Sequence, residues 1–117
     1  MAYEKQSATP QKSLTMYNLL SWSTVYRGYN ALVAGLVMYQ YLNNPEAAVI
    51  EYLPDVAIHA FEAIAPNTLN NWAAGANIVR GIQAGLGFFS PNSTIPRVAN
   101  GVDVINHGVN TFHRILQ

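Results

Sequence analysis

The sequence predicts an all-α fold, a compact antiparallel bundle of about four helices behind a flexible N-terminal arm. Three observations carry that reading. Apolar residues recur at alternating steps of three and four over long stretches, and no region alternates apolar with polar residues as a strand would. Breaks at Asn43-Asn44-Pro45, Pro66-Asn67 and Ser90-Pro91-Asn92 divide the chain into pieces of helical length. The connections between those pieces are short, which favours antiparallel neighbours. Residues 1–13 are polar, contain Pro10, and read as an arm; residues 14–117 read as one helical domain.

The first helix is expected from about Leu14 to Leu42. Trp22, Val25, Tyr29, Leu32, Leu36 and Tyr39 share one of its faces. Asn44, Pro45 and Glu46 then supply a cap, a first helical residue and a favourable charge for a second helix. That helix runs from about Pro45 to Ala65. Pro54 removes a backbone donor inside it, so a kink or a split into two short helices is expected there. Asn67 is the expected cap of a third helix, from about Thr68 to Phe89, with Ile78, Ile82, Leu86 and Phe89 on one side. The fourth starts near Pro96 and reaches Leu116. Its residues Val98, Val102, Ile105, Val109, Phe112 and Leu116 form the cleanest heptad of the chain. No internal repeat of 20–50 residues is visible, which argues against a solenoid.

Composition narrows the function classes. Six basic and six acidic side chains cancel, leaving no electrostatic footprint for nucleic acid. The absence of cysteine excludes a disulfide scaffold, a thiolate metal site and a cysteine nucleophile. The charged fraction of 10% is low, against about 25% in ordinary soluble domains. Asparagine, serine, threonine, glutamine and glycine are therefore expected to cover the surface, and a net charge of zero favours association. The start of the chain does not read as a signal peptide. Compartment is not specified.

The glycines are the most informative residues. All eight fall within or at the edges of expected helices, where each interior one costs about 0.8–1 kcal/mol relative to alanine. Gly28, Ala31 and Gly35 share a face of the first helix, Gly81 and Gly85 form a small-xxx-small step on the third, and Gly101 and Gly108 line the fourth. Small residues let a second backbone approach closely. These positions, with Trp22 and Tyr29 as aromatic anchors, are the expected contact surfaces, within the chain or with a second protomer.

Catalytic chemistry is harder to find. Glu51, Asp55, His59 and Glu62 step 4-4-3 along one helical face, and Asp55, His59 and Glu62 are weak metal-ligand candidates. The expected alternative is a solvated face, its acids pairing with Arg27, Arg80 and Arg114. Asp103 and His107 could touch on one face, but nothing resembling a nucleophile or an oxyanion site accompanies them. The expectation is a non-catalytic structural or interaction protein without a cofactor. It would act as a homo-oligomer or as a subunit of a larger assembly such as a filament, shell, virion coat or adaptor complex. The alternative is a membrane-associated subunit with helices 14–42 and 68–89 embedded. A metal-dependent enzyme is the third reading.

Overall fold

The computed structural model describes residues 21–44 and 49–117, which hold four α-helices and no strand. They are α1 (Trp22–Asn43), α2 (Val49–Ile64), α3 (Asn70–Phe89) and α4 (Arg97–Ile115). The expected arm, the residues from Leu14 to Leu20, and the expected helix start at Pro45 and Glu46 lie outside the described residues, as does the side chain of Glu51. Within them the bundle forms as expected. It consists of two hairpins: α1 packs closely on α2, and α3 on α4, whereas α2 meets α3 only lightly.

The helix ends show what the chain uses as punctuation. The Ser21 hydroxyl accepts from the Thr24 amide and caps α1. Asn44 ends α1, its own amide donating to the Tyr41 carbonyl. Pro54 lies in the second turn of α2, and the helix runs through it as one element rather than as two. Only the Ile50 carbonyl is deprived of its donor by a proline so near the helix start. The expected cap at Asn67 does not form. Leu69 precedes α3 instead, with φ 56° and no side-chain cap. The side chain of Arg114 holds this turn, donating to the carbonyls of Ala65 and Thr68 and to the Asn70 side chain.

The larger departure from expectation is which face of each helix points inward. The apolar stripes are outside: Leu32 is 63% exposed, Trp72 80% and Phe112 66%, with Trp22, Leu36, Tyr39, Ile82, Leu86, Val98 and Ile105 also exposed. Polar and charged side chains fill most of the interior. Asn30, Asp55, His59, Glu62, Asn77, Arg80, Asn100, Asp103, Asn106, His107, Asn110, His113 and Arg114 are all buried. Asparagine is therefore divided between the interior and the surface, where Asn43, Asn67, Asn71 and Asn92 are exposed, and the Asp55-His59-Glu62 face is not solvated. A small apolar cluster of Val33, Val37, Tyr52 and Ile95 joins α1, α2 and the turn before α4.

The inward residues reveal an internal correspondence of 47–48 residues, which corrects the expectation of no internal repeat. Tyr26, Asn30, Val33 and Val37 of α1 are matched, 47 residues later, by Ala73, Asn77, Arg80 and Ala84 of α3. Tyr52, Asp55, His59 and Glu62 of α2 are matched, 48 residues later, by Asn100, Asp103, His107 and Asn110 of α4. The hairpins are thus two versions of one unit, Gly-x-Asn on the first helix and Asp-Val-x-x-His on the second: Gly28/Asn30 with Asp55/His59, and Gly75/Asn77 with Asp103/His107.

Candidate functional site

The two histidines meet in the interior, their ring centroids 4.7 Å apart. Each is held by the asparagine of its own hairpin: His59 Nδ1 lies 2.6 Å from Asn30 Oδ1, and His107 Nδ1 2.8 Å from Asn77 Oδ1. Both amides are fixed in turn, because Asn30 Nδ2 donates to the Tyr26 carbonyl and Asn77 Nδ2 to the Ala73 carbonyl. Their oxygens must therefore face the rings, and each histidine must donate from Nδ1. Asn110 bridges the halves by donating to both Asn30 Oδ1 and Asn77 Oδ1.

Beyond the histidines the halves diverge. Arg80 grips Asp55 with two parallel bonds, Nε to Oδ1 at 2.6 Å and Nη2 to Oδ2 at 3.1 Å. His107 Nε2 also donates to Asp55 Oδ1, at 3.0 Å. The matching position in the first half holds Val33, so Asp103 lacks the corresponding arginine from α1. His59 Nε2 likewise has no hydrogen-bond partner in the interior, nor does Asn110 Oδ1. Asp103 is buried instead beside the negative charge of Asp55.

Electrostatics follow from these contacts. Burial alone would raise the Asp55 carboxyl, but hydrogen bonds and positive charge from His107 and Arg80 outweigh it and hold it at about 2. Asp103 is pushed up to about 7, first by burial and then by the adjacent charge of Asp55, against a smaller pull from Arg80. His59 is lowered to about 4 by burial and by the neighbouring His107. One cluster thus contains a carboxylate kept ionised, a carboxyl kept protonated near neutrality, and a histidine kept neutral.

A second polar knot lies near the start of α1. Arg114 Nε donates to Glu62 Oε1 and Oε2 at 2.9 and 3.1 Å, Tyr26 donates its hydroxyl to Oε1, and Asn77 Nδ2 donates to Oε2. Burial and the Glu62 carboxylate raise the Tyr26 hydroxyl far above its ordinary range. His113 stacks on Tyr26 with centroids 3.8 Å apart, accepts from Trp22 Nε1, and donates from Nε2 to the Pro66 carbonyl. Tyr29 donates to Asn106.

Of the expected ion pairs, those of Arg80 and Arg114 form, and they are buried rather than exposed; Arg27 donates to the Ala63 carbonyl instead. Asp103 and His107 are buried on neighbouring turns, and His107 turns to Asp55. Asp55, His59 and Glu62 each face different partners, and no three His, Asp or Glu among the described residues are placed to hold a metal ion. The glycines divide into two groups. Gly81 and Gly85 face His107 and Val104 of α4, and Gly101 faces Phe88. A Cβ at Gly28, Gly35 or Gly108 would meet nothing within 4 Å, and these three lie on the outer surface with Ala31.

Two shallow grooves flank the cluster where the hairpins meet. One, of about 680 Å³, lies between α2 and α3, with Pro54, Ile58, Val79 and Arg80 in its walls. The other, of about 470 Å³, lies between α1 and α4 at corresponding positions, Val102, Asn106, Leu32 and Val33, and reaches Asp103. No helix among the described residues is long and apolar enough to cross a membrane. No family model, curated protein or solved structure matches the chain.

Proposed function

We propose that this chain is a non-catalytic building block that self-associates, burying the apolar outer faces of its helices against other copies of itself. One observation carries the reading: all four helices expose large apolar side chains while the groups that would dissolve the protein in water are paired with each other inside. Scattered apolar residues are ordinary on a surface, but contiguous apolar faces mark contact sites. The outer stripe of α1 has the form of a helix-packing face, with Val25, Leu32, Leu36 and Tyr39 flanking the open notches at Gly28 and Gly35. Protein is favoured over lipid as the covering because of the interior charges. An Asp or Arg at the centre of an isolated inserting helix costs about 2.5–3.5 kcal/mol, and α4 carries Asp103 besides three asparagines and two histidines.

A second reading, insertion of the assembled bundle in lipid, has one observation in its favour. Exposed aromatic residues ring both ends, Trp22 and Trp72 at one and Tyr39 and Phe89 at the other. Seventeen residues separate the rings on α1 and again on α3, or about 26 Å along the helix, near the hydrocarbon thickness of about 30 Å.

Light scattering on the protein eluting from a sizing column tests the proposal. The expected result is an oligomer in detergent-free buffer that Leu32→Glu with Leu36→Glu converts to monomer while the helical signal is kept. A clean wild-type monomer at high micromolar concentration overturns it, and retention in carbonate-washed membranes would replace it with the lipid reading.

A further inference from the structure

We propose that the groove between α1 and α4 binds a small molecule carrying a guanidinium group on an apolar stem, its head held by Asp103 as Arg80 is held by Asp55. The two halves of the protein supply the template. On one side Arg80 reaches from α3 to Asp55 on α2 with two parallel bonds, and Arg80 rather than Asp55 lines the groove there. On the other side α1 has Val33 at the position matching Arg80. Val33 and Asp103 both stand in the wall of the groove between α1 and α4. Valine ends at its γ carbons, so the space that the Arg80 guanidinium takes in one half belongs to the groove in the other.

Charge and shape together select the occupant. Asp103 is only 8% exposed, and among the described residues no Lys, Arg or His forms an ion pair with it. Burial and the Asp55 charge outweigh the pull of Arg80 and bring its carboxyl up to about 7. A cation beside it would supply the compensation that the ionised form lacks. A guanidinium meets a carboxylate with two parallel N–H donors, whereas an ammonium is a point charge. The remainder of the groove suits an apolar stem: Val33 and Val37 are buried in its floor, and Leu32 and Leu36 are exposed along its rim. Its volume of about 470 Å³ lies in the range of small-molecule pockets. The net charge of the chain is zero, so a preference for a cation has to come from the site itself. Leu32 and Leu36 also belong to the face proposed for self-association. The site does not rest on that reading, because the place of the head group is set by Asp103 and Val33, which are both buried.

Hexylguanidinium and its neutral isostere hexylurea test the site by calorimetric titration into the full chain. The titration is run at about pH 8, above the Asp103 value of about 7, with light scattering on the same samples to follow assembly. The guanidinium should bind at least about tenfold more tightly than the urea. Asp103→Asn should bring the two affinities within about twofold, since the charged partner is gone. Val33→Arg, which supplies a head group from α1, should abolish guanidinium binding. Equal affinities in the wild type, or guanidinium binding that survives either substitution unchanged, overturns the proposal. A guanidinium preference that emerges only after Lys5→Gln with Lys12→Gln also overturns it, because a lysine of the chain then holds the site. Tighter binding of the peptide acetyl-Leu-Arg-Leu-amide than of hexylguanidinium makes the occupant an arginine of another protein, and the small-molecule assignment fails. Should both variants fail to fold, the carbon-13 signal of the Asp103 carboxyl in the wild-type chain decides. A shift that saturates with hexylguanidinium and not with hexylurea supports the site, and no shift overturns it. Failure of the self-association reading shows in the scattering mass, and failure of this one in the affinities.

Discussion

Asn77 illustrates how much one side chain does inside this bundle. Its amide donates to Glu62 and to the Ala73 carbonyl, and its oxygen accepts from His107 and Asn110. A buried polar group left without a partner costs about 1–3 kcal/mol. Asn77→Leu strands several groups at once, and an unfolding titration should show a loss of at least about 3 kcal/mol; a loss below about 1 would mean the network is not formed in solution. His59 and Asp103 give a paired prediction. His59 falls from 6.5 to about 4 on folding, so its contribution is lost as pH drops through that window. Asp103 rises from 3.8 to about 7, so its contribution is present at low pH and lost as pH climbs through nearly the same window. The slopes have opposite signs and the wild-type stability should be nearly flat between about pH 4 and 6.5. His59→Gln should leave stability falling with pH, and Asp103→Asn should leave it rising. Identical pH profiles for the two variants would contradict both assignments.

At the level of the helices, the open and filled glycines separate by substitution. Gly87→Ala places a Cβ 2.7 Å from Asn100 Nδ2, whose bonds to Ser93 and to the Ile95 carbonyl shape the turn into α4. It should destabilise the fold. Gly28→Ala meets nothing within 4 Å and should stabilise an isolated chain by about 1 kcal/mol, while weakening self-association if a second backbone lies against that notch. Chemical denaturation alongside sedimentation separates the two effects, and a Gly28→Ala variant with unaltered assembly would remove that notch from the interface. The helices themselves were legible in the sequence because proline and asparagine punctuate them. Their orientation was not. Each helix carries an outer apolar stripe, and opposite it a second one at similar spacing that is mainly polar on α2 and α4 and holds Asn30 on α1 and Asn77 and Arg80 on α3; burial of apolar surface predicts the wrong stripe inside. The legible clue was the repeated Asp-Val-x-x-His, Asp55 to His59 and Asp103 to His107, each at nearly the same distance from an asparagine of a Gly-x-Asn. The asymmetry at Val33 and Arg80 became meaningful only once that correspondence was known.

For the molecule as a whole, a polar interior changes what stabilises the fold. Buried ion pairs roughly offset their own desolvation, so they contribute specificity more than stability, and removing one partner costs about 3–5 kcal/mol. Arg114→Met, which abandons Glu62 at the centre of its knot, should fall in that range. The apolar surface that drives most folding lies outside here, so a large share of the stability should come from whatever covers it. If copies of the chain do the covering, folding and association are linked by mass action, and the unfolding midpoint must rise with protein concentration. Two further consequences follow from the apolar character of the contact. Sodium chloride should barely alter the midpoint, because screening acts on exposed charges and, among the described residues, few lie on the outer faces. Sulfate should raise it by strengthening apolar burial. The Leu32→Glu, Leu36→Glu variant should lose the concentration dependence while keeping the pH behaviour set by His59 and Asp103, since those side chains are inside and the substitutions are outside. A midpoint constant over a hundredfold concentration range would place the source of stability within the single chain, and the outer faces would then have to be explained by lipid.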